Sequence, residues 1–215
     1  MKYFNFGLRP DTAQTYTDRE MTTLETIRAQ IKTYNDFPKK GILFYDLLPL
    51  LGNAETFTAL IGEINDRISS PNVAAPEARG FLFASPLLTI PGGVKSLIAF
   101  RKGGKLPAED KDLVKIPVIK EYGDDSLYFR ISDVAAAHPT LGIKPVIEIT
   151  LFDDVLATGG TAEGMARQLN ELVVDTLHGK IPVRVREFVF LTELADLGAR
   201  SRLECIAPVT SLIVL

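Results

Sequence analysis

Apolar residues recur at helical spacing in three parts of the chain and predict three amphipathic helices. Thr22 and Glu25 form a capping-box pattern before the first helix, and Asn53 is a typical N-cap before the second. The predicted buried faces are Leu24, Ile27, Ile31 and Tyr34 in the first helix, Phe57, Leu60, Ile61, Ile64 and Ile68 in the second, and Met165, Leu169, Leu172 and Val173 in the third. A further helix is predicted over 80–89.

Short apolar runs between these helices predict strands. They fall at 72–76, 97–100, 127–131, 145–152, 188–191 and 209–214, with a shorter extended piece at 42–44. Alternating strands and helices favour an α/β fold, an open and largely parallel sheet with helices on both faces. Ligands of such sheets bind beyond the carboxyl ends of the strands.

Composition narrows the class of protein without naming a function. The chain has 215 residues, 46% hydrophobic and 24% charged, with a net charge of -3. This charge gives no general attraction to nucleic acid, so no nucleic-acid partner is expected. Cys205 is the single cysteine, which fits a reducing compartment, and His138 and His178 show no metal-ligand spacing with it. We expect no dedicated metal site, no membrane segment and a cytoplasmic location.

The most informative segment is 151–161, Leu-Phe-Asp-Asp-Val-Leu-Ala-Thr-Gly-Gly-Thr. A glycine turn into a helix directs several backbone N–H groups and the positive end of the helix dipole at one point, where a phosphate binds. Asp153 and Asp154 would repel that phosphate, but their carboxylates suit the hydroxyls of a neighbouring sugar. The segment therefore predicts a ribose 5-phosphate site.

Other interpretations of this segment fit less well. A Walker-type ATP loop would need a lysine after the glycines, and a dinucleotide site would need the Gly-x-Gly-x-x-Gly spacing. The aspartates could also do no more than cap a helix.

Three further segments contain candidate binding groups. Phe44, within 36–51, could cover a flat base or could anchor the core. Segment 77–83 places Glu77 and Arg79 at a strand-to-helix turn that suits an anion or a surface ion pair. Segment 101–107 has three cations among glycines, which is typical of a solvated loop or of an anion site.

Together with Glu-Tyr-Gly at 121–123, these motifs resemble the adenine phosphoribosyltransferase family of type I phosphoribosyltransferases. The five motifs are Asp-Phe-Pro-x-x-Gly-Ile-x-Phe-x-Asp, Glu-Ala-Arg-Gly-Phe, Arg-Lys-x-Gly-Lys-Leu-Pro, Glu-Tyr-Gly and Asp-Asp-x-x-Ala-Thr-Gly-Gly-Thr. They occur in the family's order, and the likeness extends from about residue 22 to the C-terminus, including Glu193, Leu194, Leu197, Arg200 and Leu203.

The resemblance implies a one-domain organisation and a role for each motif. It implies a helix and hood segment over 21–52 above the base site and a core over 53–215 with a flexible loop at 101–123. Residues 1–20 are polar and aromatic without a period, which predicts an N-terminal arm additional to the family pattern. The implied groups are Asp153 and Asp154 for the ribose; Ala157, Thr158, Gly159, Gly160 and Thr161 for the 5-phosphate; Glu77, Ala78, Arg101, Lys102 and Lys105 for pyrophosphate; Leu43, Phe44 and Arg79 for adenine; and Glu121, beside Tyr122, for proton transfer.

The implied reaction joins adenine to 5-phosphoribosyl 1-pyrophosphate (PRPP), giving AMP and pyrophosphate in purine salvage. Mg²⁺ is expected to arrive with the diphosphate, and a homodimer is expected, with Phe81 and Phe83 near its interface unless they only fill the core. Two alternatives are a phosphoribosyltransferase for another nucleobase and a non-catalytic regulator of the same fold. The second is disfavoured by the negative net charge and the absence of a basic helix-turn-helix pattern.

Overall fold

The computed structural model describes residues 22–119, 124–140, 142 and 145–215. The predicted arm over 1–20 and the predicted loop residues Glu121 and Tyr122 lie outside these ranges. In the described ranges the helices are α1 Thr23–Gln30, α2 Ala54–Asn65, α3 Arg79–Ala84, α4 Ile131–Ala135, α5 Gly160–Asn170 and α6 Ala199–Glu204. Short 3-10 helices follow at Leu48–Gly52, Ser85–Thr89 and Ala195–Leu197.

The strands form one large sheet and one small hairpin. They are β1 Lys32–Asn35, β2 Leu43–Asp46, β3 Asn72–Pro76, β4 Ser96–Lys102, β5 Leu113–Ile119, β6 Asp124–Arg130, β7 Ile147–Leu156, β8 Val173–Thr176, β9 Gly179–Glu193 and β10 Val209–Val214. The large sheet has the order β10-β9-β7-β3-β4-β6-β5, with β8 paired to β9. Strands β10, β9, β7, β3 and β4 are parallel, and β5, β6 and β8 are antiparallel to their neighbours. The predicted α/β fold is confirmed.

Successive residues of the central strands face opposite sides of the sheet, so each side has its own core. Phe188 packs in one core and Val189 in the other. Helices α1, α2 and α3 cover one side with Ile27, Leu60 and Phe83. Helices α4, α5 and α6 cover the other side with Val134, Met165 and Leu203. The prediction of helices on both faces is therefore correct, because apolar strand residues on both sides need cover.

The predicted helix starts are correct, but the first helix is shorter than predicted. The Thr22 hydroxyl accepts from the Glu25 N–H and the Glu25 carboxylate accepts from the Thr22 N–H, while Asn53 Oδ1 accepts from the Thr56 N–H at 2.8 Å. Helix α1 ends at Gln30 because the next residues leave the helix and form β1, which pairs antiparallel with β2. Tyr34 therefore lies on β1, about half exposed, and not on a buried helix face.

Three other assignments differ from the prediction for the same reason, strand pairing. Helix α5 ends at Asn170, and Val173, predicted on its buried face, is exposed and begins β8. The predicted strand at 188–191 is one part of the longer β9. The predicted loop at 101–123 contains β5, which pairs with β6. The flexibility of the remaining loop stays a prediction.

In the described ranges, no helix has the length and apolar character needed to cross a membrane.

Candidate active site

The acidic pair and the glycine turn lie where β7 passes into α5. Asp153 and Asp154 are among the last four residues of β7, and α5 begins at Gly160. Gly159 has φ +75°, a left-handed conformation that glycine adopts at low cost. A Cβ at Gly159 would also lie 3.1 Å from the Ala199 Cβ of α6. This turn thus requires glycine for its conformation and for its close contact with α6.

The same turn presents backbone donors for which the described residues provide no acceptor outside the regular elements. Among the described residues, no backbone hydrogen bond outside the regular elements has the N–H of Thr158, Gly159, Gly160 or Thr161 as its donor. The first N–H groups of a helix have no partner within the helix, and the helix dipole adds positive potential there. The start of α5 is therefore suited to bind an anion such as a phosphate.

The two aspartates are poorly paired for buried carboxylates. Asp154 is 4% exposed, and the Arg79 Nε lies 2.6 Å from its Oδ2. No donor of the described residues is aligned for a hydrogen bond to that oxygen. Asp153 Oδ1 accepts from the Asp154 N–H at 2.9 Å.

This environment disfavours the charged form of both side chains. Burial raises the pKa of Asp153, and the neighbouring charge of Asp154 raises it further. Burial also raises the pKa of Asp154, against the opposing effect of Arg79. Ligand hydroxyls that donate to these oxygens would relieve this cost.

Glu77 has the opposite environment. Its carboxylate accepts from the Arg101 Nε at 2.7 Å, the Lys102 N–H at 3.0 Å and the Lys105 Nζ at 2.9 Å. Burial raises the pKa of Glu77, but these donors outweigh burial and bring the pKa from 4.5 down to about 2. Strand pairing brings the groups together, since Pro76 of β3 lies beside Phe100 of β4. The Glu77–Ala78 peptide bond is cis.

The predicted adenine-binding residues meet at the β1–β2 hairpin. This hairpin, including its connecting turn, is the hood. The Arg79 guanidinium lies 5.6 Å from the centre of the Phe44 ring, and the Phe37 ring packs edge-on against Phe44 at 5.0 Å. Phe44 is half-buried and belongs to neither core, which argues against its role as a core anchor. Leu43 is exposed beside it on β2. An aromatic ring and a guanidinium are thus available for a flat ring system.

A cavity of about 1110 Å³ lies between the hood and the start of α5. Its walls consist of Pro38, Lys39, Arg79, Pro117, Asp153, Asp154, Val155, Ala157, Thr158, Gly160, Thr161, Glu163, Gly164, Arg167 and Arg202. The cavity thus unites the predicted ribose and 5-phosphate groups with Arg79, and Gly159 lines a smaller adjoining recess. The Glu77 cluster is not part of this wall. Glu121 lies outside the described residues.

Besides Lys39 of the hood, three charged wall residues were not predicted from the sequence. Glu163 and Arg167 lie on α5 and Arg202 lies on α6, and both arginines pair with the Glu163 carboxylate at 2.9 Å. Glu163 and Arg167 have the i, i+4 spacing of a surface ion pair, which offers no functional signal. Arg202 is distant in sequence from the turn that it contacts, so only the tertiary structure reveals it.

The comparisons with known proteins agree on one family. No protein-family model matches the chain. An adenine phosphoribosyltransferase from Maridesulfovibrio salexigens is 38% identical over 88% of this chain and 99% of its own. One from Mesorhizobium japonicum is 34% identical over 88% of this chain and 94% of its own.

Solved structures agree with these relatives. The crystal structure of adenine phosphoribosyltransferase from Thermoanaerobacter pseudethanolicus has a TM-score of 0.71 at 35% identity, covering 89% of this chain and 99% of its own. The Saccharomyces cerevisiae enzyme, crystallised with an imino-altritol bisphosphate and adenine, has a TM-score of 0.68 at 29% identity, covering 88% and 98%. This chain belongs to the adenine phosphoribosyltransferase family.

Proposed function

We propose that this chain transfers the phosphoribosyl group of PRPP to adenine, forming AMP and pyrophosphate for purine salvage. The observation that carries the proposal is the cavity in which a poorly paired acidic pair lies beside the unpaired N–H groups that begin α5. Few ligands besides a sugar phosphate need both carboxylates that accept from hydroxyl groups and backbone N–H groups that bind an anion, within one turn of the chain. The family membership of the chain supports adenine as the acceptor base.

The ribose 5-phosphate half of PRPP binds at the turn between β7 and α5. Asp153 and Asp154 accept hydrogen bonds from the ribose hydroxyls, which supplies the donors that these carboxylates lack. The backbone of 157–161 and the hydroxyls of Thr158 and Thr161 hold the 5-phosphate.

The pyrophosphate and the base bind on the two other sides of the ribose. Arg101, Lys102 and Lys105 face the pyrophosphate, with a backbone donor from Ala78. The predicted Glu77 N–H is already used, since it donates to the Phe100 carbonyl at 2.8 Å. Phe44 stacks on adenine, Leu43 pairs with its edge through backbone N–H and C=O groups, and Arg79 lies against the ring. This arrangement holds the base against the anomeric carbon and replaces an encounter between two solutes.

The chemistry exchanges one bond at the anomeric carbon for another. The bond from this carbon to the pyrophosphate oxygen breaks, the bond to a purine ring nitrogen forms, and Glu121 accepts the proton that adenine loses. Positive charge develops on the ribose near Asp153 and Asp154, and negative charge develops on the pyrophosphate near the cations. A closed loop over the reactants would exclude water, which otherwise captures the sugar cation.

Mg²⁺ is the cation proposed to accompany the diphosphate. Asp153 and Asp154 provide carboxylate oxygens in the cavity, the ligand type that Mg²⁺ prefers, and a substrate diphosphate provides the rest. The residues present therefore fit a metal that arrives with its substrate. When bound, the ion would neutralise charge on the leaving pyrophosphate.

We also propose a homodimer in the cytoplasm. The helical segment after Arg79 exposes Leu82 and Leu88, large apolar side chains that an interface would cover, while Phe83 is fully buried in the core. Light scattering at micromolar protein that gives a monomer mass with full activity would exclude the dimer.

The cytoplasmic location is supported by the single exposed cysteine, Cys205.

The direct test incubates the protein with PRPP, Mg²⁺ and one nucleobase at a time. We expect AMP from adenine and no comparable product from hypoxanthine, guanine or orotate. Turnover of another base in place of adenine would show a different phosphoribosyltransferase. Absence of any turnover, together with salt-sensitive binding to duplex nucleic acid, would favour the regulator.

A further inference from the structure

Arg202 of α6 contacts the glycine turn at the Thr158 carbonyl and lines the same cavity as that turn. Its Nη2 donates to the Thr158 carbonyl, and its Nε lies 2.9 Å from Glu163 Oε2. The turn and α6 are also in close contact at Gly159, where a Cβ would meet Arg202 Nη2 at 3.3 Å. The guanidinium is therefore held between a carboxylate and a carbonyl, and both belong to the segment that begins α5.

The geometry of one peptide unit links this contact to the cradle. In a trans peptide the C=O of Thr158 and the N–H of Gly159 point in opposite directions within one plane. A donor that fixes the carbonyl toward α6 fixes the N–H away from α6. No backbone acceptor outside the regular elements of the described residues uses that N–H. A cation at the carbonyl end also polarises the peptide and strengthens its N–H as a donor.

We propose that Arg202 is a positioning residue for the 5-phosphate, which aligns and polarises the Thr158–Gly159 peptide through its carbonyl. This inference rests on the proposed function, because it assumes that the start of α5 binds the 5-phosphate. Glu163 holds the guanidinium in place and offsets its charge. Arg202 thus contributes to the affinity for phosphorylated ligands and does not contact the base.

Arg167 provides a matched control. It pairs with the same Glu163 carboxylate, through Nε at 3.1 Å and Nη2 at 2.9 Å, and it lines the same cavity. The hydrogen bonds of Arg167 do not include the Thr158 carbonyl. Arg167→Gln therefore removes one ion pair of Glu163 and keeps the hydrogen bond to the Thr158 carbonyl. Arg202→Gln removes the other ion pair of Glu163 and this hydrogen bond as well.

The experiment measures the dissociation constant of AMP by calorimetry and the KM values for PRPP and adenine, in wild type and the variants Arg202→Gln, Arg202→Lys and Arg167→Gln. We expect Arg202→Gln to weaken AMP binding and raise the KM for PRPP roughly tenfold to a hundredfold, the usual effect of a hydrogen bond to a charged group. The KM for adenine should stay within about twofold. Arg202→Lys should lose less, since an ammonium keeps the charge but loses the planar fork. Arg167→Gln removes a cation from the same cavity wall but leaves the Thr158 carbonyl bonded, so it should lose clearly less than Arg202→Gln.

Several outcomes would overturn the inference. Unchanged AMP affinity in Arg202→Gln, an equal loss in Arg167→Gln, or a parallel loss of adenine and PRPP affinity would each reject a specific role at the 5-phosphate. If Arg202→Gln does not fold, Arg202→Lys decides, with the same requirement that PRPP and AMP affinity fall and adenine affinity does not. A wild-type protein that binds AMP but forms none from adenine would count against the proposed function alone.

Discussion

Two carboxylate sites at the carboxyl ends of neighbouring strands have opposite electrostatics. Glu77 follows β3 and receives three donors from β4 and the residues after it. Asp153 and Asp154 lie near the end of β7, the other neighbour of β3. Asp153 accepts from the Asp154 N–H, and Asp154 forms an ion pair with Arg79. The pKa of Glu77 falls to about 2, while burial raises the pKa values of both aspartates.

The difference indicates where each site obtains its partners. Glu77 is satisfied by its own chain, so its charge is used to hold Arg101 and Lys105 in place. The aspartates are not satisfied on folding, and a buried polar group without partners costs free energy. Their missing donors would have to come from a ligand, and ribose hydroxyls are of the right kind. Folding therefore completes one site and leaves the other to be completed by substrate.

The largest expected effect concerns a third carboxylate, Glu121, proposed to act on the purine proton. Glu121→Gln keeps the shape of the side chain and removes its basicity. We expect kcat to fall roughly a hundredfold to ten-thousandfold, which is typical for a general acid–base group, with PRPP affinity nearly unchanged. Steady-state kinetics in both substrates would measure this, with thermal melting as the control for folding. A near-normal kcat would show that another group accepts the purine proton.

A smaller effect is expected when the acidic pair loses charge. Asp154→Asn should raise the KM for PRPP roughly tenfold to a hundredfold, because hydrogen bonds to charged groups are the stronger ones. The melting temperature should change little, since the variant removes both the cost of burying the carboxylate and its ion pair with Arg79. Asp153→Asn should behave alike. An unchanged KM with a lower melting temperature would show that Asp154 serves the fold.

The pH dependence sharpens the same prediction. A raised pKa means that the aspartates take up protons at a higher pH than an ordinary aspartate, whose pKa is 3.8. The KM for PRPP of the wild type should therefore rise on acidification before ordinary carboxylates titrate. The KM of Asp154→Asn should rise less over the same range.

Local spacing alone groups the residues of the aspartate site, whereas only the family resemblance grouped Glu77 with Arg101 and Lys105. Asp153 and Asp154 share one strand-to-helix turn with 157–161, so local spacing suffices to bring them together. Glu77 meets Arg101 and Lys105 only because β3 and β4 pair in one register, a tertiary contact that no local pattern encodes. The same limit explains why Arg202 was missed.

Strand pairing also explains the errors in the fold prediction. Tyr34 and Val173 continue an apolar spacing of helical period, yet both belong to strands. Their segments pair with β2 and β9, and pairing with a second strand overrides a weak local preference. The buried central strands were predicted well because their apolar runs do not depend on the partner.

The next prediction tests the claim that folding completes the Glu77 site. Glu77→Gln should lower the free energy of unfolding at pH 7 by about 1–2 kcal/mol, a discounted figure because Arg101 and Lys105 are partly exposed and solvent screens the pairs. The folded pKa lies below the unfolded one. The stabilisation is therefore complete above pH 4.5 and disappears as the pH falls through about 2.

Urea unfolding at several pH values measures this difference. The gap between wild type and Glu77→Gln should close on acidification. Glu109→Gln is the control, because Glu109 pairs with Lys111 and both side chains are at least three-quarters exposed. If Glu77→Gln and Glu109→Gln lower the free energy of unfolding by the same small amount, Glu77 contributes no more to stability than a surface ion pair.

The smallest effect is expected at Gly80, where α3 connects the two carboxylate sites. A Cβ at Gly80 would lie 3.2 Å from Asp153 Oδ1 and 3.2 Å from the Pro76 Cδ, so a neighbour would have to move by a few tenths of an ångström. Apart from its chain neighbours and the backbone of its own helix, Gly62 of α2 has no atom within 4 Å of the same position. Gly62→Ala should therefore stabilise the protein by roughly 0.5–1 kcal/mol, the gain in helix propensity.

Gly80→Ala should gain less than Gly62→Ala or lose slightly, within about 1 kcal/mol of wild type, because the contact with Asp153 offsets the gain. If Asp153 moves to make room, the KM for PRPP rises a few-fold. The Glu77 cluster is not among the three nearest contacts of the new methyl, so its contribution to the free energy of unfolding should keep the same pH dependence. Unfolding and PRPP kinetics of both alanine variants measure these effects. Suppose that Gly80→Ala gains as much stability as Gly62→Ala and that its KM for PRPP is unchanged. Asp153 then has room to move, and the ligand sets its position.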